Sequence, residues 1–212
     1  MTRFFVITNN DPSRNRPSLQ FVQGEGCPTG AAPTCEVCGR FLGLIPLAAP
    51  VRIEIASWGD VWSDIALGIG SQVLLSERLV DAVRSGPITG LQTFASAEIS
   101  SSRFFTQRPS EPIPKYFLAD IQRGPAAIDA KSSRLVRESD DVCPICKTDG
   151  NIIRIERVML ENQSWRGEDF FSAMGLPGTY IVSERFRNLV EGRGFLGCRF
   201  SNAESYSFEY SR

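Results

Sequence analysis

Two short stretches carry residue types at a spacing that could do chemistry: Cys35-Glu36-Val37-Cys38-Gly39 and Cys143-Pro144-Ile145-Cys146. A lone CxxC can be a redox dithiol, a strained disulfide, or two of the four ligands of a structural zinc. Taken together, Cys35, Cys38, Cys143 and Cys146 make a complete tetrahedral thiolate set for Zn²⁺. A set closed by four protein sulfurs favours a structural role over catalysis. The knuckles of a zinc ribbon are usually some 15–20 residues apart; here the second motif begins 108 residues after the first. The competing readings stay open at this point. Two disulfides would need an oxidising compartment, and a thioredoxin-like pair expects a βαβ context and one active dithiol. Cys27 lies in a Gly/Pro loop and Cys198 on an apolar strand, where a thiol behaves as a small hydrophobe.

Histidine is absent from the chain. That excludes Ser-His-Asp and Cys-His catalysis, HExxH sites and any zinc site using imidazole. No GxxxxGK[ST] or GxGxxG loop follows a strand, and "GIG" at residues 68–70 reads as a turn. A net charge of −1 and only three lysines (Lys115, Lys131 and Lys147) provide no basic field for nucleic acid. With 42% apolar and 22% charged residues, the composition is that of an ordinary globular chain of one large or two small domains. No apolar run approaches the roughly 20 residues that span a bilayer, and the N-terminus lacks the apolar core of a signal peptide. The expected compartment is the cytoplasm, where thiols stay reduced or bind metal.

The elements that must position these cysteines repeat. Trp58 and Trp165 stand at the same offset as Gly68 and Gly175, Ser76-Glu77-Arg78 and Ser183-Glu184-Arg185, Val83 and Val190, and Gly90 and Gly197. The cysteine pairs follow within one residue of that offset, so each copy supplies half of a shared site. Ser76 and Ser183 suit helix N-caps. Leu79, Ala82 and Val83, and likewise Phe186, Leu189 and Val190, recur at helical spacing as a buried face. Gly86, and Gly192 or Gly194, suit helix ends. "VRIEIA" from Val51 and "IIRIERVML" from Ile152 alternate as strands, and "ITGLQTF" and "FLGCRF" follow the helices as further strands.

The expected fold is therefore α+β. It is an internal duplication of a strand–loop–helix–strand unit, with two pseudo-symmetric halves joined at a four-cysteine zinc site. The halves are residues 1–99 and 116–212, with a Pro-containing connector at 100–115, and they form one compact unit. The Ser-Glu-Arg triplets read as helix starts, with Ser capping and Glu complementing the dipole. Trp58 and Trp165 read as packing anchors. Glu138, Asp140 and Asp141 read as a solvated acidic loop that could face a basic partner.

The combination of two CxxC motifs with two Trp…Ser-Glu…Gly-Phe modules, over nearly the whole chain, resembles the bacterial double-CXXCG motif proteins. Members include immunity proteins that neutralise cognate polymorphic toxins delivered by contact between kin cells. The family's motif residues fall on Cys35, Cys38, Gly39, Cys143 and Cys146, while Lys147 stands where the second glycine would be. The resemblance implies a non-enzymatic protein whose partner is a cognate toxin, while the structural zinc is expected from the four cysteines themselves. The alternative reading is a zinc-ribbon-like nucleic-acid-binding or regulatory protein. No membrane or nucleic-acid partner is expected.

Overall fold

The computed structural model describes residues 2–14, 16–42, 46–68, 72–121, 124–139, 141–148 and 150–210. Two residues of the "GIG" turn, Ile69 and Gly70, and the acidic-loop residue Asp140 lie outside them. Among the described residues, thirteen strands run in chain order. They are β1 (Phe4–Asn9), β2 (Ser18–Gln23), β3 (Val51–Trp58), β4 (Ile65–Leu67), β5 (Gln72–Ser76), β6 (Leu91–Phe104), β7 (Tyr116–Ile121), β8 (Val136–Arg137), β9 (Ile152–Ile155), β10 (Phe170–Phe171), β11 (Tyr180–Ser183), β12 (Cys198–Asn202) and β13 (Phe208–Glu209). Two nine-residue helices interrupt them, α1 (Glu77–Ser85) and α2 (Glu184–Gly192).

The largest sheet has the order β2-β3-β6-β7-β5-β4, and contacts between its edge strands β2 and β4 curl it into a nearly closed barrel. The alternation of β3 explains its place there. Val51, Ile53 and Ile55 point inward with Leu19, Leu74 and Leu118, while Arg52 and Glu54 point out. At the seam Gly68 lies against the ring of Phe21, in space that any Cβ would occupy. Strand β5 is buried on both faces. Leu74 faces the barrel interior, and Val73 and Leu75 face the helices.

The second sheet, β10-β11-β1-β12, places the N-terminal strand between two C-terminal ones. Phe4 pairs with Ser183 and Asn9 with Cys198. Conversely, β7 pairs with β5 and β6 inside the barrel sheet, with Tyr116 opposite Ser76. One core joins the two sheets: Phe5, Val73, Leu75, Leu79, Val83, Phe170, Val182, Phe186 and Val190 pack together under both helices. A third sheet, β13-β9-β8, covers a separate cluster around Ile155, Phe171, Leu176 and Ile181.

The balanced α+β duplication expected from the sequence is not the architecture. The chain is mostly β, 38% strand against 12% helix, so the helices decorate sheets and form no layer of their own. The helical periodicity after Ser76 and Ser183 is real, but each helix ends after nine residues. The surrounding strands are also unequal. β6 runs for 14 residues, whereas "IIRIERVML" is a strand only over Ile152–Ile155.

Candidate metal centre

The cysteine loops contain almost no regular structure. Between β2 and β3 the chain is pinned by isolated bridges, Thr29 with Leu47 and Thr34 with Phe41. Each CxxC forms a tight turn closed by a backbone bond: Gly39 N–H donates to the Cys35 carbonyl at 2.8 Å, and Lys147 N–H to the Cys143 carbonyl at 2.9 Å. The residue after the second cysteine is left-handed in both, with φ +70 at Gly39 and +58 at Lys147. Lys147 therefore takes up the backbone conformation that glycine supplies easily. Its Cβ fits because Gly175 opposite has none: a Cβ there would come within 2.9 Å of the Lys147 Cβ. The ammonium is held by Glu161 at 3.0 Å, and the Lys147 carbonyl accepts from Arg137 at 3.2 Å.

The turns bring all four sulfurs within 4.8 Å of one another. Two of the close pairs run between the knuckles, Cys35 to Cys143 at 3.9 Å and Cys38 to Cys146 at 3.7 Å. With Zn–S bonds of about 2.3 Å, the edges of a ZnS₄ tetrahedron are about 3.8 Å, so these spacings match such a site. They are far longer than a disulfide bond. Arg40 adds a strap, donating from one knuckle to the Thr148 carbonyl of the other at 2.9 Å. Among the described residues, Cys35, Cys143 and Cys146 are buried in a small cluster with Leu42 packed against it, separate from the three cores. The described residues of these loops form no larger hydrophobic core of their own, and a bound metal would add cohesion there.

The electrostatics favour thiolate at the first cysteine of each turn. Backbone N–H groups of Cys146 and Ile145 point at the Cys143 sulfur and bring its pKa down to about 6. The N–H groups of Cys38 and Val37 lower Cys35 in the same way. At Cys38 the Arg40 N–H pulls down, but desolvation and the neighbouring sulfurs win and push it up to about 11. Cys38 thus resists ionisation beside the neighbouring sulfurs, and a divalent cation bound there would remove that resistance. Burial pushes the Cys198 thiol up to about 12, in keeping with an inert apolar role. The Cys27 sulfur accepts from the Arg52 N–H at 3.3 Å, away from the four-sulfur cluster.

A second polar constellation went unread in the sequence. Asp64 accepts from the N-cap Ser76 Oγ at 2.7 Å and from the Arg78 guanidinium at 2.5 Å through both oxygens. Asp169 accepts from Ser183 Oγ at 2.5 Å and from Arg185 at 2.9 and 2.6 Å. Each carboxylate also reaches past the far helix, to Leu196 N–H and Thr89 N–H respectively, both at 2.9 Å. Gly90 and Gly197, left-handed at φ +94 and +112, lie so close to the Phe170 and Ile65 carbonyl oxygens that a Cβ would overlap them. The Ser-Glu-Arg triplets are therefore caps that also hold a buried acid. A single fixed offset pairs Asp64 with Phe171 and hides the match. The available signal is an acid 12 or 14 residues before each Ser, followed by apolar residues. The tryptophans are not equivalent: Trp58 stacks on Phe105 at 4.7 Å, and Trp165 meets Phe4 edge-on at 5.2 Å.

No helix among the described residues is long and apolar enough to cross a membrane. A search of curated proteins finds no match to this chain. The model of one family does match: the immunity protein family Imm11, over residues 58–205. The matched stretch contains both Asp–Ser–Arg corners and the second knuckle, and it begins after the first knuckle. Because the match covers more than two thirds of the chain, this protein belongs to the Imm11 immunity protein family.

Proposed function

We propose that this chain is a cytoplasmic immunity protein that neutralises one cognate bacterial toxin by binding it, without turnover, on a scaffold whose cysteine loops are fastened by a structural zinc. The observation that carries the reading is the family match over residues 58–205. The zinc assignment rests on an all-sulfur donor set with inter-sulfur spacings of 3.7 and 3.9 Å, a soft and compact cage suited to Zn²⁺ and poorly suited to Mg²⁺ or Ca²⁺. Bound there, zinc would neutralise the crowded thiolates and join loops that lie far apart in sequence. Cys35 and Cys38 would come from one turn, Cys143 and Cys146 from the other.

Protection would follow from occlusion or distortion of the toxin across a protein interface of standard size. The test is co-expression with a toxin-like frame encoded beside this chain. Growth restored by this protein supports the reading, and continued killing in the presence of abundant, folded protein contradicts it. Metal analysis checks the other half, with an expected content of about one zinc per chain.

A further inference from the structure

We propose that the tips of the two cysteine knuckles, with the groove beside them, are the surface that receives the toxin, and that the segment received is a loop carrying an apolar side chain flanked by Lys or Arg. The proposal rests on the immunity reading above and adds the site and the chemistry of its occupant.

The first observation is which side chains the knuckles present. Val37 and Ile145 occupy the same place in their turns, immediately before the second cysteine, and are 64% and 57% exposed. Phe41, just after the first knuckle, is 70% exposed. A metal site uses the sulfurs and backbone N–H groups of these turns and makes no demand for apolar side chains at their tips. Two turns 108 residues apart in sequence, brought together by their sulfurs, nevertheless both display one. They flank a groove of about 500 Å³ whose walls include Leu42, Ala173, Met174 and Pro177. That is room for one or two inserted side chains.

The second observation is charge. Among the described residues the cations beside the knuckles turn inward: Arg40 to the Thr148 carbonyl, Arg137 to the Lys147 and Gly175 carbonyls, and Lys147 to Glu161. The exposed carboxylates of Glu36 and Asp141 have no ion pair among the described residues. An apolar groove with Glu36 in its wall, and Asp141 two residues before Cys143 in sequence, complements an apolar anchor flanked by cations, and the charges would speed encounter. Turns fixed by four sulfurs present this surface already ordered, so binding costs little conformational entropy.

The test measures binding of the purified toxin domain encoded beside this chain. Val37→Glu with Ile145→Glu should weaken Kd by about 100-fold or more, while zinc content and melting temperature stay those of the unmodified protein. Glu36→Lys with Asp141→Lys should slow association by about 10-fold and flatten its salt dependence. Val22→Glu and Tyr210→Glu, at exposed apolar positions elsewhere, should change neither. Affinity within about threefold of the unmodified protein for both pairs of knuckle variants overturns the docking site and leaves the immunity reading standing. Failure of the unmodified protein to bind or protect overturns both.

Discussion

Asp169→Asn tests the second constellation at its most buried point. The Asp169 side chain is 1% exposed and accepts five bonds, from Ser183 Oγ, Arg185 Nε and Nη2, and Thr89 N–H and Oγ1. An amide keeps one oxygen and turns an NH₂ toward the remaining donors. Facing Oδ1's partners, it can use Ser183 Oγ as acceptor but loses Arg185 Nε. Facing Oδ2's partners, it opposes both Arg185 Nη2 and the Thr89 N–H. Either way the charge assistance from Arg185 disappears, at about 1.5–3 kcal/mol per charged bond. Arg185 is half exposed, and its return to water offsets part of the loss, leaving a net cost of about 2–4 kcal/mol. For a chain of this size that lowers the melting temperature by roughly 5–15 °C, read by calorimetry or circular dichroism.

The pH dependence gives an independent check. Burial pushes the Asp169 carboxyl up, but Arg185, Ser183 and the Thr89 N–H more than offset this and hold it below the usual 3.8. A depressed carboxyl contributes stability above its unfolded value and loses it as pH falls through the folded value. The gap between the native and Asp169→Asn proteins should therefore be full at neutral pH and narrow below about pH 4. Equal melting temperatures at pH 7, or a gap that does not change with acid, would show that the Asp169 charge does not stabilise the fold.

Gly90→Ala forces a Cβ into the Phe170 carbonyl at a left-handed position and should cost about 2–4 kcal/mol, measured by denaturant unfolding. Ser183→Ala removes both the cap to Phe186 N–H and the bond to Asp169, for about 1–2 kcal/mol by the same assay. Stripping the metal, or Cys146→Ser, should raise hydrogen exchange in residues 24–42 and 141–148 while β5, β7 and β11 remain protected, because the cysteine cluster is separate from the three cores. Uniform unfolding of the whole chain, or unchanged exchange in the loops, would count against a local staple.

That the four cysteines belong together was legible from spacing alone, and the structure brings their sulfurs within 4.8 Å of one another. The two helix starts were legible too: Ser76 and Ser183 cap as their sequence context indicates. The architecture was not. Period-3.6 segments stand out in a sequence, so two short helices acquired more weight than β2, β4 and β10, whose few residues carry little pattern of their own. Strand exchange was invisible for a different reason. That β1 enters the C-terminal sheet and β7 the barrel sheet is decided by long-range pairing, which local periodicity does not encode. The Asp64 and Asp169 clamps escaped because their distances to the caps differ by two residues, enough to defeat a single offset.

Neutralisation by stoichiometric binding is tested by titrating a fixed amount of purified toxin with this protein and reading the surviving toxin activity. Neutralisation by binding gives a linear decline that reaches zero near equimolar protein, with chemically unaltered, active toxin recovered when the complex is separated. Complete inactivation well below equimolar protein, accompanied by a change in the toxin's mass, would contradict it and make the protein an enzyme.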